Sequence, residues 1–486
     1  SNIKSAVHLF NSLTGKKEVF KPYNPPNVGF YTCGITVYHD THIGHIKKYI
    51  GDDLIRRSLQ FLGYNVRHVQ NVTDVGHLTS DADNGEDKLE VGAKRWGISV
   101  WDLAKTLTEQ FYTQMDLVNN LRPTVVESAA SDKSINKQIE MIKVLVEKGF
   151  AYVAESAVYF NVAKLPDYNP FSNQPLNAKI TGSRSDLVVD TGKKNAADFA
   201  LWVFTKGIHQ NHVMRWESPW GTGFPGWHIE CSSISTSNLG EYIDMHTGGV
   251  DHLEIHHPNE IAQNYAYYGH DVVKYWLHHK FLLVDGTKMS KSLGNYYVLQ
   301  DLINKGYDPL IVRYFMLQAH YRSEINFTLK ALDSAKSAYT KLINTIALYL
   351  GEFDGVPKSI DTKNTYYILF VSAVSNDFNI PRALAVMWDL INDSKIESSV
   401  KVSLIFEFDK VFGLKIEEKS NYIFLQNKNS KNKIPDTIKQ LAKERFEAKQ
   451  KKNYALADEL RGKIEQGGFK VIDNSEGYIL ELNSRS

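Results

Sequence analysis

Apolar residues along the chain fall into blocks whose spacing changes several times. Gly29 to Cys33 is a short run that reads as a buried strand. After a glycine-containing turn, Tyr49, Ile50, Leu54, Ile55 and Leu59 recur at helical spacing, predicting a helix from about His45 through Leu62 that Gly63 ends. Val66 to Val72 is the next strand, and strand–helix–strand in that order implies a right-handed parallel unit. A second α/β stretch covers about 225–300, with strands near Tyr242–His246 and Phe281–Val284. The mixed, Gly-, Asn- and Asp-rich segment between them reads as an insertion. From about 327 to 415 Ala and Leu recur at three and four, a helical pattern. Residues 417–433 are Lys-, Asn- and Ser-rich and read as a linker. Ile434–Gln466 predicts one or two helices and Phe469–Asp473 a short strand.

The expected fold class is therefore α/β: a Rossmann-type nucleotide-binding domain split by an insertion, then a helical bundle and a small C-terminal α+β module. The expected boundaries are 1–120 and 225–326 for the two halves, 121–224 for the insertion, 327–416 for the bundle, 417–433 for the linker and 434–486 for the module. A chain of 486 residues is too long for one core, which agrees with several domains.

Composition changes this picture in three places. With 43% hydrophobic and 23% charged residues the chain is globular. It has no apolar run of 18 residues and no leader-like N-terminus, so no membrane partner is expected. Two cysteines in this length argue for a reducing compartment, here the cytoplasm, and a monomer is expected. The net charge of +1 announces no nucleic-acid binder, so any RNA contact must be local. Residues 431–470 carry eleven Lys/Arg against six Asp/Glu, which suits either a solvated helix face or a small RNA-binding module.

Chemistry concentrates in two signatures. His42-Ile43-Gly44-His45 lies where the first strand hands over to its helix, and a helix N-terminus suits phosphate. Two histidines there can donate to a triphosphate as charge builds. Lys288-Met289-Ser290-Lys291-Ser292 follows a predicted strand and Asp285-Gly286, and two lysines on a polar loop can neutralise a pyrophosphate leaving group.

With these signatures the chain resembles the class I aminoacyl-tRNA synthetases, and within them the cysteinyl-tRNA synthetases. The resemblance is carried by residues 31–38, 71–74, 225–232 (Pro-Gly-Trp-His-Ile-Glu-Cys-Ser), 247–251 (Thr-Gly-Gly-Val-Asp), 256–263 and 288–295. It continues through Arg313–Phe315, His320–Ser323, Asn376–Asn379 and Ala455–Asp458, and so covers most of the chain. Ile35 stands where many members have Pro, His45 where Asn is common, and Lys449 where Arg is frequent; the last weakens bidentate base reading.

Cys33 and Cys231 supply soft thiolates, and His256 and Glu260 lie four apart, on one side of a helix. Together they can hold Zn²⁺ tetrahedrally, although two buried free cysteines beside an unrelated His and Glu is the plain alternative. The resemblance assigns one zinc per subunit to these positions. Zinc answers a selection problem, since serine differs from cysteine only by oxygen for sulfur and an ordinary pocket separates near-isosteres poorly. A metal that takes up a thiolate is a sieve against the hydroxyl.

The resemblance further implies that Trp227 walls the side-chain pocket, that Thr36 helps bind the amino acid, and that Gly44, Gly249, Asp251 and Lys291 bind ATP. Asp251 would hold the ribose hydroxyls. His42, His45, Lys288 and Lys291 would stabilise the transition state, with Mg²⁺ on the phosphates. Lys449, Tyr454, Asp458 and Asp473 match anticodon-reading positions, a sensible set for stacking and base-edge contacts. The expected function is activation of L-cysteine by ATP and its transfer to tRNA(Cys). One rival is an amide ligase of the same fold that passes cysteine to an amino-sugar, but such paralogues lack the C-terminal module. Another is a non-enzymatic RNA-binding protein, which should have lost one of the three chemical elements.

Overall fold

Five parallel strands position the site. The computed structural model of the chain describes residues 2–38, 40–80, 84–181, 192–353, 355–432, 434–474 and 477–483. The strands are β1 (Asn27–Thr32), β2 (Asn65–Val72), β3 (Val125–Ser128), β4 (Ile243–Gly249) and β5 (Val273–His279). Their order across the sheet is β5-β4-β1-β2-β3, every pair parallel. This is a doubly wound order, which reverses between β1 and β4. Ligands of such sheets bind outside the carboxyl ends of the strands at that point. Strands β1, β4 and β5 are largely buried, as parallel strands under helices must be, yet their carboxyl ends carry Thr32, His246, Thr247, His278 and His279. Buried polar residues there mark a site rather than a core.

Three helices converge on those ends: α1 (Ile43–Leu62), α2 (Trp227–Leu239) and α3 (His256–Tyr268). Helix α1 buries Ile43, Ile46, Ile50, Leu54, Ile55 and Leu59, and Gly63 ends it in the left-handed region at φ 108°. A buried guanidinium holds this half together: Arg313 pairs with Asp53 of α1 at 2.6 Å and donates to the carbonyls of Phe412 and Val118 and to Asn120. Nearby, Asp377 accepts from Tyr321 (2.5 Å), Arg322 (2.7 Å) and the backbone N–H of Phe10 (3.0 Å), so two of the resembling stretches meet in one joint.

The insertion starts later than expected. Val125–Ser128, inside the 121–224 segment, is the edge strand of the five-stranded parallel sheet. Two apolar residues are too weak a signal to separate it from the chain beyond. The insertion proper is a four-stranded antiparallel sheet, ordered 223–225, 199–204, 157–160, 151–153, packed around Ile142, Leu145, Phe160, Phe199 and Trp202. Positions 182–191 of the expected insertion lie outside the described residues.

By internal contacts the chain forms two compact units: Ser1–Tyr339 with Asp361–Ser394 and Glu407–Leu414, and Thr340–Ile360 with Lys395–Phe406 and Lys415–Ser486. In the second, the stretch expected as a linker is the helix Ile416–Asn432. Buried Ile416 anchors its start and Glu417 and Glu418 complement its dipole, features that its Lys/Asn-rich composition hides. Helices Asp436–Gln450 and Tyr454–Gln466 and the hairpin Phe469–Asn474/Gly477–Leu482 then close over Ile438, Ala442, Ile464, Phe469 and Val471.

Candidate active site and metal centre

Cys33 follows directly on β1, Cys231 lies in the second turn of α2, and His256 and Glu260 occupy the first two turns of α3. Gly34 follows Cys33 because a Cβ there would lie 1.6 Å from the carbonyl oxygen of Asn71. The four donor atoms lie within 4.8 Å of one another, all buried. Sulfur to sulfur is 3.8 Å, Cys33 Sγ to Glu260 Oε1 3.8 Å, His256 Nε2 to Cys231 Sγ 3.3 Å and to Glu260 Oε1 3.0 Å. A tetrahedron around zinc has edges of about 3.3–3.8 Å for such ligands. Burial pushes both thiols up, Cys231 far up; burial pulls His256 down, but Cys231 and Glu260 outweigh it and lift the ring to about 9. Two thiols and a carboxylate in one dry basin fit a divalent cation, which favours their charged forms.

Histidines back this set. His246 Nε2 donates to Glu260 Oε2 at 2.8 Å, and the nitrogen of His257 nearest Cys33 is 3.6 Å from its sulfur. The other His257 nitrogen meets His278 at 2.7 Å, which in turn meets Ser12. Cys33, His246, His257 and Glu260 form an overlapping donor group. These histidines escaped the sequence reading, although the histidines toward the carboxyl ends of two apolar strands, His246 and His278, were a usable signal.

Trp227 stacks on His256 with ring centres 4.1 Å apart and on His77 at 4.3 Å, so it stands beside the donor set. Thr36, half-buried, bridges to Thr73 in the resembling stretch 71–74. His42 is the N-cap of α1, its Nδ1 accepting the N–H of His45 at 3.3 Å, and the two rings stack 3.6 Å apart. In the neutral ring that puts the proton of His42 on Nε2.

The lysine loop is tied to this corner. Ile43 N–H donates to the carbonyl of Tyr297, His42 bridges to Val298, and Met289 Cε lies 3.4 Å from where a Cβ on Gly44 would be. Asn295 accepts from Ser290 N–H and donates to the Lys288 carbonyl, shaping the loop; Lys288 and Lys291 are exposed, Lys291 over the Tyr296 ring at 5.0 Å. Gly249 ends β4, and Asp251 follows in the short 3-10 turn Val250–Leu253 with its carboxylate largely exposed. The residues expected to meet phosphate, ribose and thiol therefore share one end of one sheet.

The second unit brings together part of the other predicted set. Asp473 accepts from Lys449 at 2.7 Å and from both terminal nitrogens of Arg445, which hold its carboxyl well below the usual range. Tyr454 and Asp458 lie one turn apart on the exposed face of their helix. Arg445, nearly buried, was not singled out from the sequence.

Residues 19–337 match the family model described as tRNA synthetases class I (C) catalytic domain. The chain is 38% identical to the cysteine–tRNA ligase of Treponema denticola, over 97% of this chain and 98% of that one. It is 41% identical to cysteine–tRNA ligase 1 of Burkholderia lata, over 97% and 96%. Among solved structures, the leucyl-tRNA synthetase of Agrobacterium radiobacter, in a ternary complex with tRNA and LeuAMS, matches 84% of this chain and 86% of its own at 11% identity and TM-score 0.59. At that identity the likeness extends to the fold alone.

Proposed function

The chain belongs to the class I cysteine–tRNA ligase family, and from that premise we propose that a zinc ion on Cys33, Cys231, His256 and Glu260 selects the substrate thiol. Membership carries the activity: ATP-dependent ligation of cysteine to tRNA. The single observation behind the zinc reading is the convergence of two thiols, an imidazole and a carboxylate at the switch point of the sheet. When bound, zinc would supply a site that takes a thiolate and not a hydroxyl. Trp227 closes the wall beside it, and His246 orients Glu260 from behind.

The remaining steps belong to the chain's own groups. His42 and His45 at the N-terminus of α1 face the phosphates with the Nε2–H of His42 and the backbone N–H groups, Gly44 leaving room for the His42 ring, which a Cβ there would meet at 2.9 Å. Lys288 and Lys291 neutralise the departing pyrophosphate, with Mg²⁺ accompanying ATP. Gly249 and Asp251 hold the ribose, and Thr36 the amino acid. Transfer goes to tRNA(Cys) through the 2′-hydroxyl of its terminal adenosine, and Lys449, Tyr454, Asp458 and Asp473 read the anticodon. The unbonded pair of thiols at Cys33 and Cys231 supports a reducing cytoplasmic setting, and among the described residues no helix is long and apolar enough to cross a membrane.

The test is ATP–pyrophosphate exchange with cysteine and with serine, before and after chelation of metal. Exchange with cysteine alone, lost with the metal and restored by Zn²⁺, is expected. Undiminished exchange in metal-free protein would remove zinc from the reading while leaving the ligase activity in place.

A further inference from the structure

Helix α1 does more than present its two histidines. One turn further on, its side chains tie down the carboxyl ends of three neighbouring strands. Lys48 Nζ donates to the carbonyl oxygen of Cys33 at 2.6 Å, just beyond β1. The same ammonium pairs with Asp52 at 2.7 Å, both side chains largely buried. The other oxygen of Asp52 accepts the Thr247 hydroxyl of β4 at 2.5 Å and Nε2–H of His279, the last residue of β5, at 2.8 Å. Lys47 donates to the carbonyl of Lys280 at 2.6 Å. Gly51 leaves the space the His279 ring fills, since a Cβ there would lie 2.6 Å from it.

Cys33 is a proposed metal ligand, and Thr247 begins the Thr-Gly-Gly-Val-Asp segment that ends in Asp251. Two glycines come after Thr247, held to β5 by backbone pairing alone, so Thr247 carries the last side chain of β4 ahead of the turn that holds Asp251. An ordinary fold-stabilising contact does not need a buried charge at this spot, because Val at 247 and Leu at 52 would pack without desolvating an ion pair. A carboxylate held by three donors from three elements, each fixed to a different part of the site, suits geometry better than it suits stability.

We propose that Asp52, with Lys48 and Thr247 as its partners, is a positioning residue that sets the ribose loop of β4 relative to the thiol-holding end of β1. This rests on the ligase reading above. Asp52 touches neither substrate; it acts through Thr247 on one side and Lys48 on the other.

The experiment measures KM and kcat for ATP and for cysteine in pyrophosphate exchange, and ATP affinity by equilibrium dialysis, well below the melting transition. Zinc per chain is measured alongside. Asp52→Ala and Thr247→Val are each expected to weaken ATP about tenfold, a loss of the size a displaced binding group causes. Zinc content should stay at the wild-type level, and Thr247→Ser should recover the affinity that Thr247→Val loses. The Asp52→Ala/Thr247→Val double variant should be no worse than the poorer single one, because both cut the same link. ATP affinity within twofold of wild type in folded Thr247→Val, or additive losses in the double variant, would overturn the proposal. Should Asp52→Ala fail to fold, Thr247→Val against Thr247→Ser decides alone. Wild-type protein that binds ATP but shows no cysteine-dependent exchange would count against the ligase reading, while dialysis would still decide the positioning role.

Discussion

Single residues in this site are set by what surrounds them more than by their type. Asp74, in the resembling stretch 71–74, is buried behind β2, where it accepts from Ser128 and from the N–H of Ala130 at 2.9 Å. Burial outweighs those bonds and pushes its carboxyl up to about 6. An unfolded Asp titrates near about 4, so the folded chain holds this proton more tightly. The stability gained from protonated Asp74 is complete below about pH 4 and lost as pH rises through 6. Between those limits the wild type should lose about 2–3 kcal/mol relative to Asp74→Asn. Urea midpoints of both proteins across pH 4–7 check this, and parallel curves would refute it. At this scale the convergence of Cys33, Cys231, His256 and Glu260 was legible in the sequence because Cys is rare here and His256 and Glu260 have a helical spacing. Asp52 and Lys48 were not. A Lys and an Asp four apart on a helix read as a solvated pair, and only the tertiary fold reveals that this one is buried against three strand ends.

Elements were predicted best where period and punctuation agree. Helix α1 was legible to within two residues because five apolar side chains keep its period and Gly63 stops it; it begins at Ile43 rather than His45 because His42 caps it. Strand β3 and the helix Ile416–Asn432 were misread, since a two-valine edge strand has no period and a Lys/Asn-rich helix carries few apolar anchors. Which elements are joined is invisible in a linear pattern. Arg313 links α1 to the carbonyls of Val118 and Phe412 through five hydrogen-bond donors of which four are used in described contacts. Arg313→Met should cost about 3–5 kcal/mol, because Asp53 would keep Arg57 as its one ion-pair partner among the described residues in a buried setting. Replacing Asp53 as well, as Asp53→Leu in the same chain, should recover part of that loss. Denaturation midpoints of the single and double variants measure both, and a double variant no more stable than Arg313→Met would mean the cost lies in the carbonyl contacts.

At the scale of the molecule, the two tasks proposed for this chain, activating cysteine and reading the tRNA, fall to regions with separate cores. Everything proposed to touch cysteine or ATP lies at one edge of the β5-β4-β1-β2-β3 sheet. Everything proposed to read the anticodon lies after residue 434, around Ile438, Ala442, Ile464 and Phe469. A hydrophobic cluster that closes on itself can be removed without opening the other core. Adenylate formation needs no base contacts, whereas transfer needs the tRNA held in register, and energy from remote contacts is spent on orienting the reacting groups. Cutting the chain after Asn432 should therefore leave cysteine-dependent pyrophosphate exchange within about threefold of the full chain while lowering tRNA charging by about a hundredfold or more. Replacing Asp473 alone, as Asp473→Ala, should move charging in the same direction by a smaller factor and also release Arg445 and Lys449 from their ion pairs. Steady-state charging measured beside exchange on the same preparations separates the outcomes: equal losses in both reactions would show that the C-terminal region supports the catalytic core itself, and unchanged charging would show that this region reads nothing in the tRNA.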